Sequence, residues 1–370
     1  MKVSYNYLPM QFNNTDEIFR EWRELIDSTD FTLGKYVAKF EDEFAVYIKS
    51  KHCIATNNGT DALILGLKAL GIGNGDEVIT VCNSFYATTG AIVAVGAIPI
   101  MVDSDDRYQI CVDAIERKIT SKTKAILPVH WAGASPDMNA IVRIADKNNL
   151  VVLEDACMGI GGKFDGKNPG TFGKCGAYSL HPLKTLNVMG DGGMVVTDDD
   201  ALASWMRTYR NHGMIDRDHN VMWGVNMRMQ PLQAIVASYG LKDLDRVINV
   251  RNENAAFLDS LLSRPELADS VRIPVRSKRN VETQSLYMGL FEQRDELIKY
   301  LSQNEIEAKI HYPIPLHLQA AAIPFGYKEG DFPTAEYQSG KLVTLPIHQF
   351  LTKHQIRFVA ETISRFYLGS

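Results

Sequence analysis

Along the first two thirds of the chain, apolar residues come in short runs, each followed by a longer stretch with helical spacing. The runs His52–Thr56, Glu77–Cys82, Ile98–Val102, Ala125–His130, Leu150–Glu154, Gly176–Leu180 and Met194–Thr197 are of strand length, and most are β-branched. Between several of them the spacing turns helical, over Asp61–Leu70, Thr88–Val95, Val112–Ile119 and Pro136–Asn148. Strands that are apolar throughout are buried on both faces. Their alternation with helices predicts an α/β fold with a mainly parallel, doubly covered sheet. Only a loop separates the last two strands, so a local departure from strict alternation is expected there.

From Ala201 to about Leu262 the pattern is helical, interrupted around Asn226–Pro231, where Pro231 suits a first helical turn. Arg264–Glu282 is polar and irregular and reads as the entry to a second unit. That unit mixes predicted strands (Ser285–Phe291, Glu307–Ile310) with predicted helices (Arg294–Gln303, Lys353–Phe366). A chain of 370 residues suits a large domain plus a smaller one. The division is expected at 1–245, including an N-terminal arm, and 246–370, an α+β unit.

Composition narrows the function classes. A net charge of −5 gives no electrostatic footprint for nucleic acid. The most apolar stretch, Ala91 to Val102, contains Gly96 and Pro99 and falls short of the roughly 20 residues a membrane span needs. The N-terminus turns polar at once, unlike a secretory signal. The five cysteines are scattered without a CxxC pair, which favours reduced thiols over disulfides, and no zinc spacing is present. A soluble, cytoplasmic protein without a metal is expected.

The chemistry gathers around Lys184. It follows the apolar run ending at Leu180 and precedes Gly190, Gly192 and Gly193, which permit close backbone approach. Another apolar run ends in the acids Glu154 and Asp155, of which only one can face a given side. A lysine and an acid at strand ends are what pyridoxal phosphate chemistry needs. The amine forms an imine with the cofactor aldehyde, and the carboxylate, here assigned to Asp155, holds the pyridine nitrogen protonated. The turn Asn57-Asn58-Gly59-Thr60-Asp61 between strand and helix offers N–H groups and a hydroxyl to a phosphate, although the same residues also make an ordinary helix cap. Phe85, after a strand, could stack on a cofactor ring or simply pack in the core. Arg228 could grip a carboxylate, and His311-Tyr312 belong to a proline-rich polar cluster. The glycines Gly71, Gly73 and Gly75 precede a strand instead of following one, which argues against a dinucleotide fingerprint.

Order and spacing together are more specific than any one signal. Asn58-Gly59-Thr60-Asp61, Gly75-Asp76-Glu77-Val78, Glu154-Asp155-Ala156, Ser179 through Gly193, Arg210-Asn211-His212-Gly213, Gly224 through Arg228, His311-Tyr312-Pro313 and Leu345-Pro346-Ile347-His348 resemble the DegT/StrS sugar aminotransferases over nearly the whole chain. The resemblance implies the pyridoxal-phosphate-dependent transferase fold of type I. It also implies transfer of an amino group from L-glutamate, through pyridoxamine phosphate, to a keto-sugar, nucleotide-linked in the main reading. A keto-inositol or small phosphorylated ketone is the alternative acceptor, and a non-catalytic regulator of the same fold the alternative class. By the same resemblance Lys184 is the imine-forming acid–base group and Asp155 the pyridine partner. Phe85 is the stacking ring, and Gly59, Thr60, Asp61 and Ser179 hold the phosphate. Asn226 reaches the cofactor of a second subunit in a homodimer, and Arg228, His311 and Tyr312 lie near the substrate. One departure stands out. Met158 occupies a position where the family often has Gln or His bonding the ring oxygen, and a thioether cannot donate.

Overall fold

The computed structural model describes residues 1–369. Its centre is a seven-stranded sheet: β1 (His52–Thr56), β2 (Glu77–Val81), β3 (Ile98–Val102), β4 (Thr123–Leu127), β5 (Val151–Asp155), β6 (Cys175–Ser179) and β7 (Gly193–Thr197). Their spatial order is β1-β7-β6-β5-β4-β2-β3. All neighbours run parallel except β7, which is antiparallel to both β1 and β6. The β6–β7 connection, residues 180–192, contains no helix, and that explains the reversal, since a parallel return would need a crossover. Residues of every strand are buried on both faces, as apolar runs without alternation require.

One face packs on helices Gly59–Ala69, Tyr86–Ala94, Met138–Lys147 and Asp200–Tyr209, and the other on Gly34–Ile48 and Pro231–Leu241. Pro231 does open a helix. The N-terminal helices Asp16–Ser28 and Gly34–Ile48 add to the predicted elements. Val112–Ile119 is shorter than expected, with its second half tightening into a 3₁₀ turn at Glu116–Lys118.

The helix Leu244–Leu262 passes from one core to another. Leu244 and Ile248 pack with the large sheet, whereas Ala255, Leu258, Leu261 and Leu262 pack with the C-terminal unit. That unit has an antiparallel three-stranded sheet, β8 (Val271–Arg272), β9 (Tyr287–Phe291) and β10 (Leu342–Leu345), in the order β10-β9-β8. Helices Arg294–Gln303 and Lys353–Leu368 cover it, the latter opened by a Thr352–Gln355 capping box. The expected strand at Glu307–Ile310 is absent. Its residues make only isolated bridges, Lys309 to Thr344 and the adjoining Ile306 to Val3, so the edge is shared with the N-terminal arm. No described helix is long and apolar enough to cross a membrane.

Candidate active site

Parallel strands deliver their C-terminal ends to one edge of the sheet, and the cavity opens there. It measures about 300 Å³ and is lined from the sheet side by Asn58, Gly59, Thr60, Ser84, Phe85, Asp155, Cys157, Met158, Ser179 and Lys184. The opposite wall comes from Tyr5 and Tyr7 of the arm, Arg251, and residues 285–348 of the C-terminal unit, among them His311, Tyr312 and His348.

The anion end is built from backbone. Asn58 caps the helix Gly59–Ala69 by accepting from the Asp61 N–H at 2.8 Å, and its carbonyl accepts from Ala62. The Asp61 donor is therefore already used, and Asp61 does not line the cavity. The N–H groups of Gly59 and Thr60 and the Thr60 hydroxyl donate to no partner among the described residues. A Cβ on Gly59 would meet Ser179 Cβ at 2.7 Å, and one on Gly193 would meet the Asn58 carbonyl at 2.3 Å. Strand, turn and helix start are thus pressed together, and glycine is required at both positions. The Ser179 hydroxyl accepts from the His181 N–H at 3.3 Å, which leaves its own proton to give.

Glu154 and Asp155 separate cleanly, as alternation along β5 demands. Glu154 is fully buried away from the cavity. It accepts from His130 Nε2 at 2.8 Å and from the Gly170 and Gly173 N–H groups at 2.7 Å, which ties down the loop before β6. Asp155 faces the cavity and is 5% exposed. Its Oδ2 accepts from the Thr88 hydroxyl at 2.7 Å and its Oδ1 from the Cys157 N–H at 3.2 Å. Thr88 is in turn 2.7 Å from the Ser84 hydroxyl. Among the described residues no cation pairs with this carboxylate, although a buried carboxylate calls for one.

Lys184 Nζ makes no hydrogen bond or ion pair among the described residues. Burial lowers its pKa from the usual lysine value, with Cys157 and Asp155 pulling weakly the other way. The amine is thereby shifted toward its neutral, nucleophilic form. Its backbone is held from the far wall: the Lys184 carbonyl accepts from the Tyr7 hydroxyl at 2.8 Å and from Asn187 Nδ2 at 2.9 Å.

Phe85 is 47% exposed at the start of the helix Tyr86–Ala94, and its ring lies 6.0 Å from that of Tyr312. Tyr312 also touches Tyr86 and Trp131, and burial raises its hydroxyl to about 12. His311 bonds the Thr344 hydroxyl at 3.0 Å. Burial, then the nearby Lys184 and Lys309, lowers it to about 4. Met158 lines the cavity, while its carbonyl accepts from the Thr283 and Ser285 hydroxyls. Asn226 and Arg228 do not line the cavity. Arg228 Nε donates to Asn226 Oδ1 at 3.1 Å and its NH1 to Asn211 Oδ1 at 2.9 Å.

Thr88, Tyr7 and Arg251 went unread in the sequence. Thr88 had no local signal. Tyr7 and Arg251 are placed by hydrogen bonds to residues 33 to 177 positions away in sequence.

The residues fit pyridoxal phosphate: an anion cradle that a single methyl would fill, an unpaired buried carboxylate, and a buried lysine with a lowered pKa. None of the described residues forms a metal-binding cluster.

Comparison with known proteins agrees with this geometry. The profile of the DegT/DnrJ/EryC1/StrS aminotransferase family matches residues 13–364. A pleiotropic regulatory protein of Geobacillus stearothermophilus is 40% identical, over 95% of this chain and 94% of its own. The dTDP-3-amino-3,6-dideoxy-alpha-D-galactopyranose transaminase of Aneurinibacillus thermoaerophilus is 36% identical over 95% of each chain. The crystal structure of S. venezuelae DesV, in complex with a ketimine intermediate, superposes with a TM-score of 0.95 at 33% identity, covering 99% of this chain and 98% of that one. The chain belongs to the DegT/DnrJ/EryC1/StrS family and is a pyridoxal-phosphate-dependent aminotransferase.

Proposed function

We propose that the chain moves an amino group from L-glutamate to a nucleotide-linked keto-sugar, yielding an amino-sugar for a surface polysaccharide or related glycoconjugate. The observation that carries this reading is the placement of Asp155 and Lys184 in the lining of one cavity, together with the sugar-transaminase relative. Pyridoxal phosphate supplies an electron-accepting ring and an aldehyde carbon when bound. Gly59 and Thr60 N–H groups, with the Thr60 and Ser179 hydroxyls, hold the phosphate. Asp155, steadied by Thr88 and the Cys157 N–H, keeps a proton at the ring nitrogen. Phe85 covers a face of the ring. Lys184 Nζ carries a proton to and from the substrate carbon, a task that its lowered pKa favours. His311 and Tyr312 border the space for substrate. Both stay neutral near pH 7, so they can hydrogen-bond a sugar without adding charge.

The active unit in this reading is a cytoplasmic homodimer, with Asn226 and Arg228 completing the neighbouring subunit's site. Their place outside their own cavity supports this, as does Trp223 standing 92% exposed beside them in sequence. Mixing Lys184→Ala chains with Asn226→Ala chains tests it, because shared sites regain activity in mixed dimers and separate sites do not. The two-domain division near residue 245 belongs to the same proposal. The regulatory name of the Geobacillus relative removes none of the catalytic residues here, so turnover is the first test. Protein loaded with pyridoxal phosphate, glutamate and a panel of nucleotide-linked keto-sugars should give an amino-sugar detectable by mass spectrometry. Amination of keto-inositols or small phosphorylated ketones alone would overturn the acceptor assignment.

A further inference from the structure

Two buried hydroxyls form a chain that ends on Asp155. The Thr88 hydroxyl lies 2.7 Å from Asp155 Oδ2, and the Ser84 hydroxyl lies 2.7 Å from that of Thr88. Thr88 is fully buried and Ser84 nearly so. The main chain of Asp155 is fixed independently, by its N–H to the Pro128 carbonyl at 2.9 Å and by the His130 N–H to its carbonyl at 3.0 Å. Aiming the carboxylate is therefore left to its hydrogen-bond partners. Ser84 and Thr88 flank Phe85 at the start of the helix Tyr86–Ala94, so the segment that presents Phe85 to the cavity also holds the acid. Thr88 stands in the first turn of that helix, where the helix dipole favours a negative charge.

The chain has a preferred direction. A hydroxyl owns one proton, so Thr88 gives its own to Asp155 and receives that of Ser84. Reversal requires a protonated Asp155 donating to Thr88, and Thr88 donating to Ser84. The Ser84 proton would then have no acceptor among the described residues, leaving a buried donor unsatisfied. The other carboxylate oxygen meets a group that can only donate, the Cys157 N–H at 3.2 Å. Neighbouring titratable side chains leave this arrangement to the hydroxyls. Burial lowers Lys184 toward its neutral form, and burial, then Asp155, raises the Cys157 thiol so that it stays protonated. Glu154, the adjacent acid, is turned away and bonds His130.

We propose that Ser84 and Thr88 are positioning residues for amine transfer. Their hydroxyl chain commits both oxygens of Asp155 to accepting, so that the proton shared between acid and cofactor stays on the ring nitrogen. This rests on the reading of Asp155 as the partner of that nitrogen, and names what keeps it in that role. Both residues act through Asp155. A hydroxyl that donates to a charged oxygen makes one of the stronger hydrogen bonds available in a protein. Valine keeps the branched shape of Thr88 and removes only the donor, which makes the contribution of the hydroxyl separable from packing.

The test reads the protonation of the ring nitrogen by NMR, in holoenzyme loaded with pyridoxal phosphate that carries the heavy nitrogen isotope at that atom. In Thr88→Val the signal is expected to move from the pyridinium position toward that of neutral pyridine. Amine transfer from glutamate should slow with it by about 10- to 100-fold, the range for a hydrogen bond to a charged group. Thr88→Ser returns the donor and should recover both signal and rate. Ser84→Ala removes only the second link and should move both in the same direction by less. If Thr88→Val fails to fold, Ser84→Ala carries the same expectation, and an unmoved signal there overturns the proposal. A pyridinium signal retained in folded Thr88→Val, or a loss that Thr88→Ser does not recover, overturns it too. Asp155→Asn separates the proposal from the reading beneath it. Loss of the pyridinium signal in Asp155→Asn but not in Thr88→Val removes the hydroxyl chain alone. A signal unchanged in Asp155→Asn removes Asp155 from the ring nitrogen as well.

Discussion

The two walls of the cavity are built by opposite strategies. The sheet wall is made of backbone at strand ends: Gly59 pressed on Ser179, Gly193 on Asn58, and Asp155 fixed by Thr88 from the helix that follows β2. The facing wall is made of side chains gathered from the arm, the helix Leu244–Leu262 and the C-terminal unit, joined by contacts such as Tyr7 to Lys184 and His348 to Ser4. The first wall suits a cofactor that stays. The second suits substrates that come and go, because it hangs on separate elements that can adjust.

Substitutions on each wall should therefore fail differently. Lys184→Ala is expected to lower both half-reactions by about 10³-fold or more and to abolish borohydride tagging at that side chain, read by peptide mass spectrometry. Normal rates would break the assignment of the sheet wall. Asp155→Asn should cost roughly 10²- to 10³-fold in turnover with cofactor still bound, since it removes an oriented charge and not the phosphate cradle. Gly59→Ala should weaken cofactor affinity by roughly 10-fold, equivalent to about 1.4 kcal/mol, with dialysis against phosphate as the readout. A similar cofactor loss in Tyr7→Phe would erase the distinction between walls.

On the far wall the sharper probe is pH. His311 and His348 are held near 4 by burial, whereas the unfolded chain titrates near about 6.5. Between those values the unfolded state binds more protons, so stability falls as pH drops through that window. The loss is expected to reach about 1–3 kcal/mol per histidine, read as a falling Tm from pH 6.5 to 4. A flat Tm there, or one unaffected by His348→Gln, would contradict the neutral imidazoles. Tyr7→Phe should cost least, about 1 kcal/mol for one hydrogen bond to the Lys184 carbonyl.

The same contrast explains what could be read from the chain. Six of the seven central strands lie within one residue of their predicted ends, because a doubly covered sheet writes its burial as continuous apolar runs. Lys184 and the Glu154–Asp155 pair were legible because they sit at those ends; which acid faces the cavity needed the observed register. Asp61 was expected at the phosphate, but its N–H serves the Asn58 cap, a competition that sequence leaves open. Thr88 looks like any helical threonine until its bond to Asp155 is seen. The strand Leu342–Leu345 is followed at once by Pro346 and was missed as a short apolar run.

The arm has a consequence for biosynthesis. Ser4 and His348, bonded through the Ser4 carbonyl, are 344 residues apart. At about 5–20 residues per second the ribosome needs roughly 20 seconds to a minute to cover that distance. During that interval Tyr7 has no finished C-terminal scaffold to hold it against the Lys184 loop, so the nascent sheet is assembled before its catalytic pocket can close. Premature termination late in the message would then leave a nearly complete sheet with an open, solvent-filled groove.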